Sequence, residues 1–397
     1  MTDGKPPAPA AVETEIFDFF AGRNFERSRR FGAGAYDPQP LRDFLVKLGN
    51  PQYGYKTIHV AGTVGKGSAT TYLARSLAAM GFKTGSYLSP HFLSLTERFC
   101  INGDPISAED LASLWHELKQ HSEIKMLSFF DAMTALAFLF FLRQGCDWAV
   151  IETGLGGRLD STNNLRAAIA VITRIDWDHQ NILGDSLEAI AREKAGIIHT
   201  GQTVYSMKQA EAVDAVLRQT CTEQLATYRI ISTPAEDFMR RNQEFAWSII
   251  ADVFHPGPEL QAKVRSALQQ PVFGRLSLLQ TAPRVFFDGG HNVAAMRALT
   301  TFINAQEENT CNIFLNTMAE RNLPEFEDIL RKGIQKNQNF FFFPMTENTY
   351  FVSPPAGSAL RQVTDDEIRA IIAMPGQLNL FTGSMGIYKE LKSRFDL

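Results

Sequence analysis

The sequence predicts an α/β fold in which strands and helices alternate and build largely parallel sheets. From Lys56 onward, short apolar segments are followed by amphipathic ones, a pattern typical of βαβ units. Several of the apolar segments end in glycine-rich turns, as strands often do before a crossover helix. The length of 397 residues exceeds what one hydrophobic core usually organises, so we expect two domains.

The predicted first domain, residues 1–270, contains the clearer βαβ series. A Ser at position 107 followed by Asp110 is typical of a helix start, because both side chains can cap backbone N–H groups. We expect strands at 56–61, 83–89, 147–152 and 168–173, and helices at 68–80, 107–121, 129–144 and 186–195.

A second, smaller α/β domain is predicted from residue 271 to residue 397. The boundary follows a helical stretch, 242–269, and coincides with the turn residues Pro271 and Gly274. A run of four phenylalanines, 340–343, favours a doubly buried strand over an aromatic binding face. Further strands are expected at 284–288, 312–316 and 379–382, with helices at 293–305, 324–334 and 364–373.

Composition narrows the class of protein. With 45% hydrophobic and 21% charged residues, the chain can form packed cores. A net charge of −4 gives no broad positive field, which argues against a general nucleic-acid binder. Residues 1–12 resemble a loose tail without a signal core, and no apolar run approaches the roughly 20 residues of a membrane span. The four scattered cysteines lack zinc spacing, so we expect reduced thiols in a cytoplasmic protein.

A candidate phosphate-binding loop joins the first predicted strand to the next helix. Glycines allow backbone N–H groups to approach an anion, and the helix N-terminus and a lysine add positive charge. The loop departs from the Walker pattern because Gly67 separates the lysine from Ser68, and a glycine-rich turn without a ligand remains the alternative. The candidate residues are Thr63, Val64, Gly65, Lys66, Gly67 and Ser68.

Further polar residues follow the other predicted strands, at the edge where open α/β sheets bind ligands. Ser89 and Glu152 each follow or end a strand, and Glu152 enters a glycine-rich turn where its carboxylate could face Mg²⁺. His179 comes after the next strand, and Lys194 lies near the end of a helix. The alternatives are a solvated carboxylate, a helix-capping histidine and a surface lysine.

Several strings together resemble the folylpolyglutamate synthase/dihydrofolate synthase family, a branch of the Mur-type ligases. The resemblance covers roughly residues 40 to 395, and its ordered series of motifs continues from the first predicted domain into the second. They are Gly62-Thr-x-Gly-Lys-Gly-Ser68, Ser89-Pro-His91, Glu97-Arg98, Glu152-x-Gly-Leu-Gly-Gly-Arg-Leu-Asp160, Asp178-His179, Glu193-Lys-Ala-Gly-Ile-Ile198, Phe273-Gly-Arg275, Asp288-Gly-Gly-His291-Asn292, Met318-Ala319 and Thr382-Gly-Ser384.

The resemblance implies roles for these residues. Magnesium ligands would be Ser89, Glu152, His179 and Lys194, the last as a carbamate, whose formation needs a neutral amine. Lys66 would join His179 and Lys194 as a catalytic residue. The resemblance also places nucleotide contacts at Arg275, Asp288 and His291. Substrate contacts would fall on Ser128, Phe129, Phe130 and Asp131, although a Phe pair opening a helix is also ordinary core.

The implied activity is ATP- and magnesium-dependent addition of L-glutamate to dihydropteroate, a reduced folate or both, by a protein that is often a monomer. Two departures bear on it: Val64 stands where the family usually has Asn, and the adenine-contacting Asn has only Asn242 as a nearby candidate. A non-catalytic nucleotide-binding homologue and a Mur-type peptidoglycan ligase remain the alternatives. No nucleic acid or membrane is expected as a partner.

Overall fold

The computed structural model describes residues 9–23, 36–233, 237–319, 321–346 and 349–397. The chain divides into two compact units, Met1–Gln270 and Pro271–Leu397. No helix in these described ranges is long and apolar enough to cross a membrane. All four cysteines lie within them, and each is a buried free thiol.

The first unit is built around one sheet, to which eight strands contribute within the described residues. They are β1 (Lys56–Ala61), β2 (Thr84–Tyr87), β3 (Phe99–Ile101), β4 (Asp104–Pro105), β5 (Trp148–Glu152), β6 (Ile169–Ile172), β7 (Thr203–Met207) and β8 (Thr227–Ile231). Their order is β4-β3-β2-β5-β1-β6-β7-β8. Only β3 and β4 pair antiparallel to their neighbours, so β2, β5, β1 and β6 direct their carboxyl ends to one edge.

Helices of the first unit pack on this sheet because its central strands are apolar on both faces. The strands β1, β5 and β6 are almost wholly buried, and α5 is buried along nearly its whole length. The helices are α1 (Pro9–Phe19), α2 (Gln39–Lys47), α3 (Lys66–Ala79), α4 (Ala108–Lys119), α5 (Phe129–Arg143), α6 (Gln180–Leu183), α7 (Leu187–Ala195), α8 (Glu211–Glu223), α9 (Phe238–Phe254) and α10 (Pro258–Gln269).

The expectation of a loose tail over residues 1–12 is wrong for residues 9–12, which begin α1; residues 1–8 lie outside the described residues. Val12, Ile16 and Phe20 are buried in the same apolar cluster as α4 and α5. Their spacing of four residues places them on one helix face. The Pro/Ala-rich composition of the start concealed this apolar stripe.

The second unit contains a six-stranded sheet within the described residues, in the order β13-β12-β11-β14-β10-β9. Its elements are β9 (Ser277–Thr281), β10 (Arg284–Asp288), α11 (Val293–Asn304), β11 (Thr310–Leu315), α12 (Leu323–Gly333), β12 (Asn337–Phe342), β13 (Arg361–Gln362), α13 (Asp365–Ile372), β14 (Gln377–Thr382) and α14 (Ile387–Phe395). Strand β9 is antiparallel to β10, and the other pairs are parallel. All four phenylalanines of the 340–343 run are buried, and the first three end β12, which confirms a buried strand there; Phe343 follows the strand.

Candidate active site

The phosphate loop connects β1 to α3 and is shaped by two glycines. Gly62 and Gly65 have φ angles of 147° and 88°, the second in the left-handed region that other residues avoid. The N–H groups of Thr63 and Val64 donate to the carbonyl oxygen of Arg174, at 2.9 and 3.1 Å. The loop is therefore held against the chain that follows β6, and α3 begins immediately after it with its N-terminal N–H groups unpaired within the helix.

Ser68 and Gly67 form a small cradle at the start of α3. The hydroxyl of Ser68 is buried and has no hydrogen-bond partner among the described residues. A Cβ atom added to Gly67 would lie 3.5 Å from Oε2 of Glu152, so the carboxylate faces the helix start closely. A buried hydroxyl without a partner is costly, and a bound ligand or ion would satisfy it.

Glu152 ends β5, which lies between β2 and β1 in the sheet. Its side chain is buried, and Oε2 accepts a 3.1 Å hydrogen bond from the backbone N–H of Ser89, which follows β2. Parallel pairing of β2 with β5 brings these two strand ends together. The structure thus places two predicted metal ligands side by side, next to the phosphate loop.

Lys194, near the end of α7, is only 2% exposed. Its Nζ donates a 2.8 Å hydrogen bond to the carbonyl oxygen of Gly62, which also accepts a 3.3 Å bond from Nζ of Lys66. Burial, and secondly the charge of Lys66, lowers the pKa of Lys194 to about 7. The alternative of a surface lysine is wrong, and the lowered pKa makes the neutral amine easier to reach than in an exposed lysine.

His179 precedes α6 with a φ of 44°, a left-handed conformation that is uncommon outside glycine. Its Nε2 lies 3.7 Å from Oδ1 of Asp178, and the histidine side chain is 33% exposed. Asp178 is close enough to Lys194 to raise its pKa, although burial outweighs this effect. Asp178 and His179 therefore belong to the same neighbourhood as Lys194.

The glycine-rich turn after β5 is held in place by a hydrogen bond to Asp160 and by close packing against the backbone of α7. Asp160 is buried and accepts the N–H of Leu155 at 2.8 Å, and burial raises the pKa of its carboxyl group. On the other side, a Cβ atom at Gly157 would lie 2.9 Å from the carbonyl oxygens of Glu193 and Lys194. The turn approaches α7 so closely that only glycine fits, and this contact fixes the position of Lys194.

The Ser89-Pro-His91 and Glu97-Arg98 strings support each other. Both carboxylate oxygens of Glu97 accept backbone N–H groups from residues 92–94, which closes the turn before a short 3₁₀ helix, Leu95–Arg98. Arg98 is buried, and its Nε donates to Nδ1 of His91 at 3.0 Å. These residues hold the segment that carries Ser89.

The predicted substrate segment begins α5, and its residues have two kinds of environment: some stabilise the helix start, and one is partly exposed. Ser128 and Asp131 form a reciprocal capping box, and Asp131 also accepts hydrogen bonds of 2.6 Å from the hydroxyls of Tyr36 and Ser161.

Phe129 is buried in the apolar core. Phe130 is only partly buried and stacks on Tyr87 with ring centroids 5.9 Å apart. Phe130 is the member of the set best placed to meet a ligand.

The second unit presents its predicted contacts at the carboxyl end of β10. Asp288 ends that strand and is buried, and its two oxygens accept the N–H groups of Leu276 and Gly290 at 2.9 and 2.8 Å. Burial raises the pKa of Asp288, while the Arg275 charge opposes the shift. Nδ1 of His291 lies 3.0 Å from the carbonyl oxygen of Gly289. Asp288 thus also organises the two turns that carry Arg275 and His291.

The sequence offers little or no indication that two residues, Asn242 and Gln209, lie near the phosphate loop or the chain that holds it. Asn242, on α9, is buried, and its Oδ1 would lie 2.8 Å from a Cβ atom at Gly65. Gln209 accepts the N–H of Ile175 and donates to the carbonyl oxygen of Thr173, which fixes the chain after β6. Both are distant in sequence from the residues they contact, so only the fold reveals them.

The residues present fit a magnesium-bound nucleotide. The unpaired N–H groups of the α3 start, Lys66 and the unpartnered Ser68 hydroxyl suit phosphate oxygens and the accompanying cation. Among the described residues no cluster of three or more His, Cys, Asp or Glu side chains could hold a metal ion by itself. Phosphate-bound magnesium needs only one or two protein carboxylates, and Glu152 is a buried carboxylate positioned beside the start of α3.

The parallel sheet, phosphate loop and strand-end carboxylate define a nucleotide-binding α/β protein of the Mur ligase class. The family model of the Mur ligase middle domain matches residues 60–268. The dihydrofolate synthase/folylpolyglutamate synthase of Bacillus subtilis is 30% identical, over 89% of this chain and 94% of that protein. The chain therefore belongs to the dihydrofolate synthase/folylpolyglutamate synthase family.

Solved structures share the fold. E. coli FolC in complex with DHPP and ADP has a TM-score of 0.82 and 21% sequence identity, covering 99% of this chain and 98% of that one. Folylpolyglutamate synthase of Mycobacterium tuberculosis, complexed with ADP and AMPPCP, has a TM-score of 0.81 and 21% identity, covering 97% and 98%. The α/β fold expected from the sequence is confirmed.

Proposed function

We propose that this chain is an ATP-dependent ligase that joins the amino group of L-glutamate to the carboxylate of dihydropteroate or a reduced folate. The observation that carries the proposal is the convergence of Lys66 and Lys194 on the carbonyl oxygen of Gly62, beside Glu152 and Ser68. Family membership supports the reaction type, since the Bacillus subtilis relative is named for both synthase activities.

The chemistry proceeds in two displacements. The substrate carboxylate attacks the γ-phosphorus of ATP, the bond to the β,γ-bridging oxygen breaks, and ADP leaves. The amine of L-glutamate then attacks the carbonyl carbon of the acyl phosphate, inorganic phosphate leaves, and the amine loses a proton. Phosphoryl transfer of this kind depends mainly on positioning and on offsetting negative charge.

The residues of the first unit have distinct parts in this scheme. Lys66 and the N-terminal N–H groups of α3 hold the β- and γ-phosphates. Glu152, Ser89 and His179 are the proposed magnesium ligands, and magnesium when bound offsets charge on the phosphate oxygens. Lys194 completes the set as a carbamate, in which the neutral amine attacks CO₂ and loses a proton to give an anionic oxygen ligand. Its low pKa and burial favour that reaction.

Substrate recognition is proposed at Phe130, whose partly buried ring lies beside the glycine turn. A Cβ atom at Gly154 would lie 2.6 Å from the Phe130 ring. A flat aromatic surface beside Gly154, two residues after Glu152, suits stacking of a pterin ring system. Ser128 and Asp131 cap the helix that carries Phe130, and Phe129 anchors the start of that helix in the core. In the second unit, Arg275, Asp288 and His291 are proposed to contribute to nucleotide binding.

The first experiment measures ADP release by the purified chain with MgATP. Reactions contain L-glutamate with dihydropteroate, with tetrahydrofolate, or with neither acceptor. We expect release only when both glutamate and a pterin carboxylate are present, and the preferred acceptor identifies the branch. UDP-linked peptidoglycan precursors serve as the negative control for the Mur-type alternative.

Val64 motivates a second rival function, a nucleotide-binding protein without turnover. That function predicts measurable ATP binding but no glutamate-dependent ADP release, even after incubation with bicarbonate to restore a carbamate at Lys194. Lys66→Met, which removes the phosphate-loop charge, is the matched control in both assays. Loss of nucleotide binding in that variant distinguishes specific occupancy of the loop from adventitious binding.

A further inference from the structure

Val64 and Arg174 lie directly opposite each other beside the phosphate loop. They pair in an isolated antiparallel bridge, and the carbonyl oxygen of Arg174 accepts the N–H groups of Thr63 and Val64. Residues opposed in such a pair project their side chains to the same face, with Cβ atoms about 5 Å apart. The side chain of Arg174 therefore starts beside that of Val64, on the same side of the loop.

The loop lacks polar groups on this side. Val64 carries no hydrogen-bonding side chain, and its own N–H, like that of Thr63, is already paired with Arg174. Phosphate oxygens and the accompanying cation are left with the N–H groups at the start of α3, with Lys66 and with the Ser68 hydroxyl. A cationic side chain at the position opposite Val64 would add a charged donor at the point where Val64 offers none.

Arg174 is available for such a contact. Its side chain is 57% exposed, and its ion pair with Asp176 spans 3.7 Å from Nε to Oδ2. An exposed pair of that length is weak and leaves the terminal nitrogens able to bind another anion. A guanidinium group donates two parallel hydrogen bonds to phosphate oxygens, a geometry that lysine does not offer.

We propose that Arg174 binds the terminal phosphates of the nucleotide and replaces, as a charged donor from the residue opposite in the bridge, the side-chain group that Val64 lacks. The inference rests on the proposed function, because it assumes that the loop binds a nucleoside triphosphate. The proposal makes Arg174 a nucleotide-contacting residue. It also predicts that substitutions at positions 64 and 174 have non-additive effects on the free energy of nucleotide binding.

The test measures binding of the non-hydrolysable triphosphate AMPPCP with Mg²⁺ by isothermal titration calorimetry, without folate or glutamate. The full chain is compared with Arg174→Gln and with Arg166→Gln. Arg166 is an exposed arginine that precedes β6, whereas Arg174 follows it, so the control removes the same charge from the opposite end of one strand. Circular dichroism and thermal unfolding verify that each variant is folded.

We expect Arg174→Gln to weaken AMPPCP binding by about 10- to 100-fold, the usual loss for a hydrogen bond to a charged group. AMP, which lacks the terminal phosphates, should bind the variant and the original chain equally. Arg166→Gln should bind AMPPCP within about twofold of the original chain, since a distant exposed charge is screened by salt. Adding Val64→Asn to Arg174→Gln should recover part of the lost affinity.

Two outcomes would overturn the inference while leaving the proposed function intact. One is unchanged AMPPCP affinity in Arg174→Gln, and the other is an equal loss in Arg166→Gln, which would reveal only a general field effect. If the original chain itself fails to bind AMPPCP, the nucleotide-dependent function fails first and the role of Arg174 fails with it. The calorimetric comparison separates these cases.

Discussion

The side-chain nitrogen of Lys194 donates a 2.8 Å hydrogen bond to the carbonyl oxygen of Gly62, a residue 132 positions earlier in the chain. This single contact ties the end of α7 to the phosphate loop. Because the amine is buried and close to Lys66, the pKa of Lys194 is lowered to about 7. A lysine in that position can react as a neutral amine, which an exposed lysine at the same pH rarely can.

Replacing Lys194 with Met should abolish ligase turnover while preserving the fold. Methionine has a similar volume but cannot form a carbamate, so the proposed anionic ligand is lost. The measurement is glutamate- and pterin-dependent ADP release, accompanied by a thermal unfolding curve. Carbon-13 NMR after labelling with ¹³C-bicarbonate should show a carbamate signal in the original chain that Lys194→Met lacks. Near-normal turnover in Lys194→Met would remove this residue from the mechanism.

Replacing Glu152 with Gln should raise the magnesium concentration needed for activity. The amide oxygen can still accept the N–H of Ser89, so local structure is retained while the negative charge beside Gly67 disappears. ADP release is measured over a magnesium titration at saturating ATP. We expect the half-maximal magnesium concentration to rise by about tenfold, the loss of one charged interaction. An unchanged magnesium dependence would exclude Glu152 as a ligand.

Replacing Gly65 with Ala should weaken nucleotide binding through two effects. The left-handed backbone costs about 1 kcal/mol for a residue with a side chain, and the new Cβ atom would lie 2.8 Å from Asn242 Oδ1. Gly81→Ala is the matched control, since Gly81 has a φ of 95° but nothing within 4 Å of an added Cβ. AMPPCP affinity should fall only in Gly65→Ala; equal affinities would mean that the Asn242 contact does not shape the loop.

Substitutions of the two phenylalanines that begin α5 should have different effects, one mainly on protein stability and the other mainly on substrate binding. Phe129→Ala removes a buried core ring and should cost about 3–5 kcal/mol of unfolding free energy. Phe130→Ala removes a partly buried ring, so a smaller loss of stability and a higher KM for the pterin substrate are expected. Urea unfolding and steady-state kinetics provide the two measurements. A Phe130→Ala variant with unchanged KM would contradict the proposed pterin surface.

Glu15 should make the anchoring of α1 dependent on pH. It accepts hydrogen bonds from Lys119, His116 and Trp115, and chiefly the Lys119 bond lowers its pKa from 4.5 to about 2. A depressed carboxyl pKa means that its stabilising contribution is complete above pH 4.5 and is lost as the pH falls through about 2.

The matching experiment compares urea unfolding of the original chain and Glu15→Gln across pH. Because the carboxylate is partly exposed, we expect a difference of only about 0.5–1 kcal/mol at pH 7. The difference should shrink on acidification below pH 4.5, where the ordinary carboxyl group would already be protonated. A difference that stays constant down to pH 2 would mean that charge is not what makes Glu15 stabilising.

The sequence by itself determined the α/β fold and the main elements, because apolar periodicity and glycine turns are local properties. The strand at Lys56–Ala61 and the strand at Arg284–Asp288 begin and end where the pattern predicts. It also identified the family, since the ordered motifs are carried by nearby residues. The helix at residues 9–19 was not predicted, because its apolar residues lie within a Pro/Ala-rich segment. Packing of those residues against the core is what stabilises the helix.

Only the tertiary structure decided which of these residues contact each other and how their pKa values are shifted. Lys194 could have been a surface residue by its sequence, and its low pKa arises from burial and from the charge of Lys66 at the start of α3. The closeness of Asn242 to Gly65, and the pairing of Val64 with Arg174, likewise depend on how the chain returns to the sheet edge. Local patterns specify elements, whereas distances and desolvation exist only once those elements pack.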